Sequence, residues 1–220
     1  MKTKLKKILL LLCCALLLVG VSVGVTVAYL TSTSTEVKNT FTIGDVKIDL
    51  DEAEVEYDAT NNTYIAKDTR RVYANKYNIL PGTVVWKDPT VTVYKDSENC
   101  YVRAIVTVTY PKTDVAAKTF SVDWLGDTGT GWTRIVNDAT LAGETYTQKI
   151  EYRYNTVVGK NTDGPTVLPA IFNTLTIPTT LTNTDIAKLA NFKIDVVGHA
   201  IQSGGFADAA AAWAAFDAQN

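Results

Sequence analysis

Between residues 101 and 110 the chain alternates with a period of two. Val102, Ala104, Val106, Val108 and Tyr110 fall on one side, and Arg103, Thr107 and Thr109 on the other. That is the pattern of a strand with one face in a core. Residues 149–154 repeat it, with Ile150, Tyr152 and Tyr154 opposite Lys149, Glu151 and Arg153. So do residues 192–200, where Phe192, Ile194 and Val196 oppose Lys193 and Asp195. Shorter β-rich runs stand at 72–79, 83–86, 90–94, 120–125, 132–136 and 171–177. Turn residues separate them: Pro81-Gly82, Asp88-Pro89, 126–131 and Asp163-Gly164-Pro165. Many short strands and no room for a crossover helix between them predict an all-β fold, an antiparallel β-sandwich or jelly roll.

The two ends depart from this pattern. Val37, Asn39, Phe41 and Ile43 share one parity, and Val46, Ile48 and Leu50 share the other, with Gly44 where the parity changes. A bulge or tight bend there would produce that switch. Residues 29–35 form a Ser/Thr stretch with no hydrophobic period. A β-capable segment behind such a leader can pair with its own sheet or with another molecule's edge. At the other end, Gly204-Gly205 breaks the strand pattern before an alanine-rich run. Phe206, Ala209, Ala210, Trp213 and Phe216 share one side of a predicted helix over 206–217. Such a helix packs on a sheet face or closes one end of a sandwich. No Lys or Arg lines its polar side, which disfavours a membrane-surface role.

The first residues change the setting. Lys2, Lys4, Lys6 and Lys7 precede an uncharged apolar run from Ile8 to Leu30 that carries Thr26-Val27-Ala28 near its end. This is the layout of a secretory signal peptide. The expected cut lies between Ala28 and Tyr29. Retained as a helix, the run would span about 34 Å and could instead serve as an anchor. Either way the remainder lies outside the cytoplasm. The chain is thus divided into a signal segment (1–28), a leader (29–43) and a β-sandwich domain ending in a helix (44–220).

Charge and cysteine content then exclude several classes. The whole chain has 21 Lys+Arg against 23 Asp+Glu, and loss of the four signal-segment lysines leaves 17 against 23. Such an acidic domain does not suit nucleic acid. Cys13 and Cys14 belong to the apolar segment, with Leu11-Leu12 in place of the small residue a lipoprotein site needs. Cys100 is then alone and reads as a small core residue, and the domain depends on its core and hydrogen bonds rather than on disulfides. The acidic run of Asp45, Asp49, Asp51, Glu52, Glu54, Glu56 and Asp58 reads as a solvated strand face followed by a loop. As a cation site its spacing fits no defined calcium loop.

Catalytic signals are sparse. His199 is the one histidine, and its parity places it with Lys193 and Asp195 on the side facing solvent. It has no H-E-x-x-H, G-x-S-x-G, phosphate loop or dinucleotide fingerprint for company. No cofactor, metal site or catalytic residue is assigned. Tyr64, Tyr73, Tyr77, Tyr94, Tyr101, Trp124 and Trp132 could line a carbohydrate platform, although in a sandwich such residues more often fill the core or sheet faces.

Several short motifs carry a family resemblance. They are Thr26-Val27-Ala28-Tyr29-Leu30-Thr31, Val37-Lys38-Asn39-Thr40-Phe41-Thr42-Ile43-Gly44 and Val46-Lys47-Ile48-Asp49-Leu50. Further on come Ile79-Leu80-Pro81-Gly82, Lys87-Asp88-Pro89, Cys100-Tyr101-Val102-Arg103 and Ala200-Ile201-Gln202. With these the chain resembles the TasA/camelysin family of exported Gram-positive proteins. The resemblance is strongest at the N-terminus and weaker between 111 and 190. It implies a jelly-roll domain, processing by a SipW-type signal peptidase, and secretion into an extracellular biofilm matrix. It also implies fibres in which one subunit's N-terminal segment (Val37, Asn39, Phe41 and Ile43) completes the next subunit's sheet. The expected partners are therefore copies of the chain or related matrix subunits. Membrane contact is limited to the signal segment before cleavage. Two other readings stay open: a monomeric or membrane-anchored adhesin or fibre-anchoring accessory, and the metallopeptidase label that camelysin relatives carry.

Overall fold

A computed structural model describes residues 31–34, 46–112, 120–189 and 191–219. The strands are β1 (Thr31–Ser34), β2 (Ile48–Asp58), β3 (Thr63–Val72), β4 (Val84–Trp86), β5 (Thr90–Val93) and β6 (Cys100–Pro111). They continue with β7 (Trp132–Val136), β8 (Thr140–Ala142), β9 (Thr145–Tyr154), β10 (Thr166–Val167), β11 (Thr174–Thr176) and β12 (Lys193–Gln202). A short helix α1 (Asn183–Lys188) precedes β12, and α2 (Ala209–Asp217) follows it. One six-stranded sheet runs β1-β12-β6-β9-β7, with β8 also on β9; the other runs β10-β5-β2-β3-β4-β11. All pairings are antiparallel except β3 with β4.

The three alternating runs become β6, β9 and β12, the centre of the first sheet. Their inward side chains, Val102, Ala104, Val106, Val108, Ile150, Tyr152 and Ala200, join Ile48, Val85, Val91 and Val93 of the second sheet in one core. Cys100 lies in that core, and burial pushes its thiol up to about 12. Gly198 is needed where the sheets approach: a Cβ there would sit 3.3 Å from Ile48 Cδ1 and 3.7 Å from Leu50 Cβ. Among the described residues no helix is long and apolar enough to cross a membrane.

Some sequence expectations need correction. The run at 72–79 is not a strand; β3 ends at Val72, and the strand lies before it. Its core-facing part is limited to buried Tyr64, and 65–71 are exposed, so no apolar alternation marks it. Residues 120–125 form a 3-10 turn at Val122–Trp124, started by the Asp123 amide donating to Ser121 Oγ. Its aromatics, Phe120 and Trp124, pack edge-on at 5.5 Å. Helix α1, absent from the strand reading, is held by a capping box between Thr182 and Asp185. The acidic run is strand from Asp49 to Asp58, followed by a turn at 59–62, but its face is not solvated throughout, since Glu52 is buried. Helix α2 buries Ala212 with Trp213 and Phe216, while Ala210 is exposed.

Candidate functional site

The β12 side of the first sheet, where the N-terminal segment pairs, is the feature most relevant to assembly. Strand β12 pairs with β6 along its whole length, from Lys193↔Thr109 to Gln202↔Cys100. On its other side β1 covers only part of it, from Ser34↔Gly198 to Thr31↔Ile201. Among the described residues, no strand pairs with 193–197 on that side. Edge backbone of this kind presents N–H and C=O groups that another segment can use. Ile194 and Val196 point toward the core and are half-buried, with Phe192 beside Phe120 and Trp124. On the outer face Lys193 Nζ lies 2.7 Å from Asp195 Oδ1.

The leader is therefore not structureless throughout. Thr31–Ser34 forms β1 on β12 of its own chain, which the Ser/Thr composition alone did not indicate. The cleavage residues Ala28 and Tyr29, and the donor-strand residues Val37, Asn39, Phe41 and Ile43, lie outside the described residues.

His199 does not face solvent. Its parity is as read from the sequence, but α2 lies over that face and His199 stacks on Phe216 at 4.8 Å. Arg103 Nε donates to His199 Nδ1 at 3.2 Å. Burial first, then the Arg103 charge, pulls the imidazole down to about 4. Arg103 is itself buried, reaching Glu151 at 3.4 Å and gripping Asp217 with two nitrogens. Its guanidinium lies 4.5 Å from the Trp213 ring centre and 5.0 Å from that of Phe216. These groups form a clasp holding α2 on the sheet. A neutral imidazole already bonded to a guanidinium is poorly placed to ligate a metal or act as a base. The sequence signal for this cluster was a charged residue in the middle of the apolar β6 run.

The acidic run is largely paired within the domain. Glu52 and Lys87 form a buried ion pair at 2.6 Å, and Asn75 Nδ2 donates to Glu52 Oε1 at 3.0 Å. Arg71 bridges Asp51 at 2.9 Å and Asp88 at 2.6 Å, while the Ala53 amide donates to Asp88 Oδ1 at 2.8 Å. Each buried carboxylate thus has a cation or amide partner. Among the described residues no group of three or more His, Cys, Asp or Glu side chains is arranged to hold a metal. Of the aromatic candidates, Tyr64, Trp124 and Trp132 are buried in the core, whereas Tyr73 and Tyr94 are exposed, so the set does not form one platform.

No family model, curated protein or solved structure matches the chain.

Proposed function

We propose that the chain is a secreted structural subunit of extracellular matrix fibres, assembled by donation of its N-terminal segment to the β12 edge of the next copy. The observation that carries this reading is the pairing of the N-terminal segment with β12, at 198–201 among the described residues. That pairing lies within one chain, and among the described residues 193–197 has a strand partner on its β6 side alone.

Register arithmetic supports donation between copies. Continuing β1 past Ser34 in the same register would set Glu36 opposite Val196 and Lys38 opposite Ile194. Those two β12 positions face the core, where unpaired charges are unfavourable. A shift of one residue turns every side chain to the other face. It would set Val37 opposite Val196, Asn39 opposite Ile194 and Phe41 opposite Phe192. A strand delivered by a neighbour is free to adopt that register, because it need not follow the tether of its own β1. Burial of Val37 and Phe41 would contribute roughly 1.5–3 kcal/mol each before ordering costs. A head-to-tail contact of this kind does not close on itself and gives filaments.

The rest of the proposal follows from the sequence. A SipW-type peptidase cuts between Ala28 and Tyr29, and until then the apolar run restrains the donor segment at the membrane. Secreted material should begin at Tyr29 on N-terminal sequencing. The domain is a jelly roll of the TasA/camelysin kind, acting without a cofactor or catalytic site. The engagement of His199 by Arg103 and Phe216 favours this over the peptidase reading. Electron microscopy of the purified mature protein, with and without residues 29–43, tests the proposal. Filaments should form only with the segment present. Filaments from the truncated protein would refute it.

A further inference from the structure

The outer face of the second sheet holds a groove of about 450 Å³ lined by Asp51, Arg71, Thr90, Thr92, Val167 and Leu168. The volume is in the range of small-ligand sites. Strand pairing builds it. Asp49 stands opposite Thr92, Asp51 opposite Thr90, and Val167 opposite Thr92 on the other side. The alternation that sends Ile48, Leu50, Val91 and Val93 inward turns Asp49, Asp51, Thr90 and Thr92 outward.

The polar groups are held in fixed directions. Arg71 donates from Nε to Asp51 Oδ1 at 2.9 Å and from Nη1 to Asp88 Oδ2 at 2.6 Å. Its Nη2 donates to the carbonyls of Asp51 at 3.1 Å and Asp88 at 3.2 Å. Asp51 Oδ2 has no hydrogen-bond partner among the described residues and is left as an acceptor beside the groove. Tyr73, 63% exposed, donates its hydroxyl to Asp49 Oδ2 at 3.2 Å, and Asp49 stands opposite the lining residue Thr92, so an aromatic ring is fixed next to the groove. Val167, 64% exposed, supplies an apolar wall.

An oriented carboxylate acceptor on Asp51, the Thr92 side chain, an exposed tyrosine and an apolar wall together match one ligand chemistry; the Thr90 hydroxyl is already spent on the Asp88 carbonyl at 2.8 Å. A pyranose ring has hydroxyls around its rim and C–H groups on its faces, the latter suited to an aromatic surface. Asp49 and Asp51 would repel phosphate, sulfate or uronate groups. Arg71, lying in the groove and neutralising Asp51, disfavours a cation. We propose that this groove binds a neutral pyranose unit of a polysaccharide. The site is independent of β12 and requires nothing of the assembly.

Affinity electrophoresis of the mature protein in gels containing dextran, galactan or soluble chitin oligomers, with polygalacturonate as the anionic comparison, tests this. Retardation is expected from at least one neutral polymer and not from polygalacturonate. Tyr73→Ala should weaken it at least tenfold. Thr92→Arg, which fills the groove, should abolish it, and melting curves should show both variants folded. Absence of retardation by all the neutral polymers, retardation by polygalacturonate alone, or unchanged binding in folded variants would each overturn the proposal.

Discussion

The guanidinium of Arg103, near the start of β6, grips the carboxylate of Asp217 at the end of α2, 114 residues later in the chain. The Arg103 side chain is 6% exposed and that of Asp217 is 59% exposed. The two partners are therefore unequal. Removing Asp217 leaves Glu151 and His199 to satisfy Arg103, whereas removing Arg103 leaves carboxylates and a buried imidazole without their common donor.

Arg103→Ala should thus destabilise the domain by about 3 kcal/mol or more, as expected when a buried ion pair loses one partner. Asp217→Ala should cost about 1 kcal/mol. Urea denaturation measures both, and Trp213 fluorescence reports whether α2 has left the sheet. Equal, small losses would mean that the helix is held by its apolar contacts alone.

The same cluster gives a pH dependence. His199 is held near 4 in the folded protein, against 6.5 ordinarily, by burial and by Arg103. As pH falls through 6.5 the unfolded chain takes up a proton that the folded chain refuses. Stability is therefore full above about pH 6.5 and declines towards pH 4, by up to about 3 kcal/mol. Asp217, held below its usual value first by its hydrogen bond to Arg103, adds a loss in the same direction at lower pH. Urea midpoints at pH 7 and pH 4.5 should differ in the wild type and much less in His199→Phe. An unchanged difference in the variant would assign the effect to other groups.

Legibility in the sequence followed exposure. Strands β6, β9 and β12 have one face in the core and one outside, so their alternation gives them away. Strand β3 crosses exposed space with Lys67, Asp68, Thr69, Arg70 and Arg71, and no apolar alternation marks it. Residues 120–125 are apolar enough for a strand, but they pack three rings around a tight turn. At His199 the parity was right and the exposure wrong, because the cover comes from α2, whose Trp213 and Phe216 were already visible as an apolar stripe. The pairing of β1 with β12 could not be read locally. A strand's own residues do not say which segment pairs beside it, and the Ser/Thr run of β1 carries no hydrophobic period to mark it as that partner.

Phe41 tests the proposed register. Set opposite Phe192 in a neighbour, it would enter the aromatic group of Phe120, Trp124 and Phe192. Phe41→Asp should abolish filaments on electron micrographs while leaving a cooperatively melting monomer, because the strand is supplied by another molecule. Loss of the monomer's fold instead would show that Phe41 belongs to the core of its own domain.

The most direct measurement is a disulfide placed at the proposed contact. With Val37→Cys and Val196→Cys in one chain, donation between copies brings the two thiols opposite each other on the same face, within bridging distance. In an uninterrupted continuation of β1, position 36 rather than 37 would stand opposite 196. Oxidation of assembled protein followed by non-reducing electrophoresis should give a ladder of covalent multimers that collapses to monomer on reduction. Filaments that yield only an internally bridged monomer, or no bridge at all, would contradict the account.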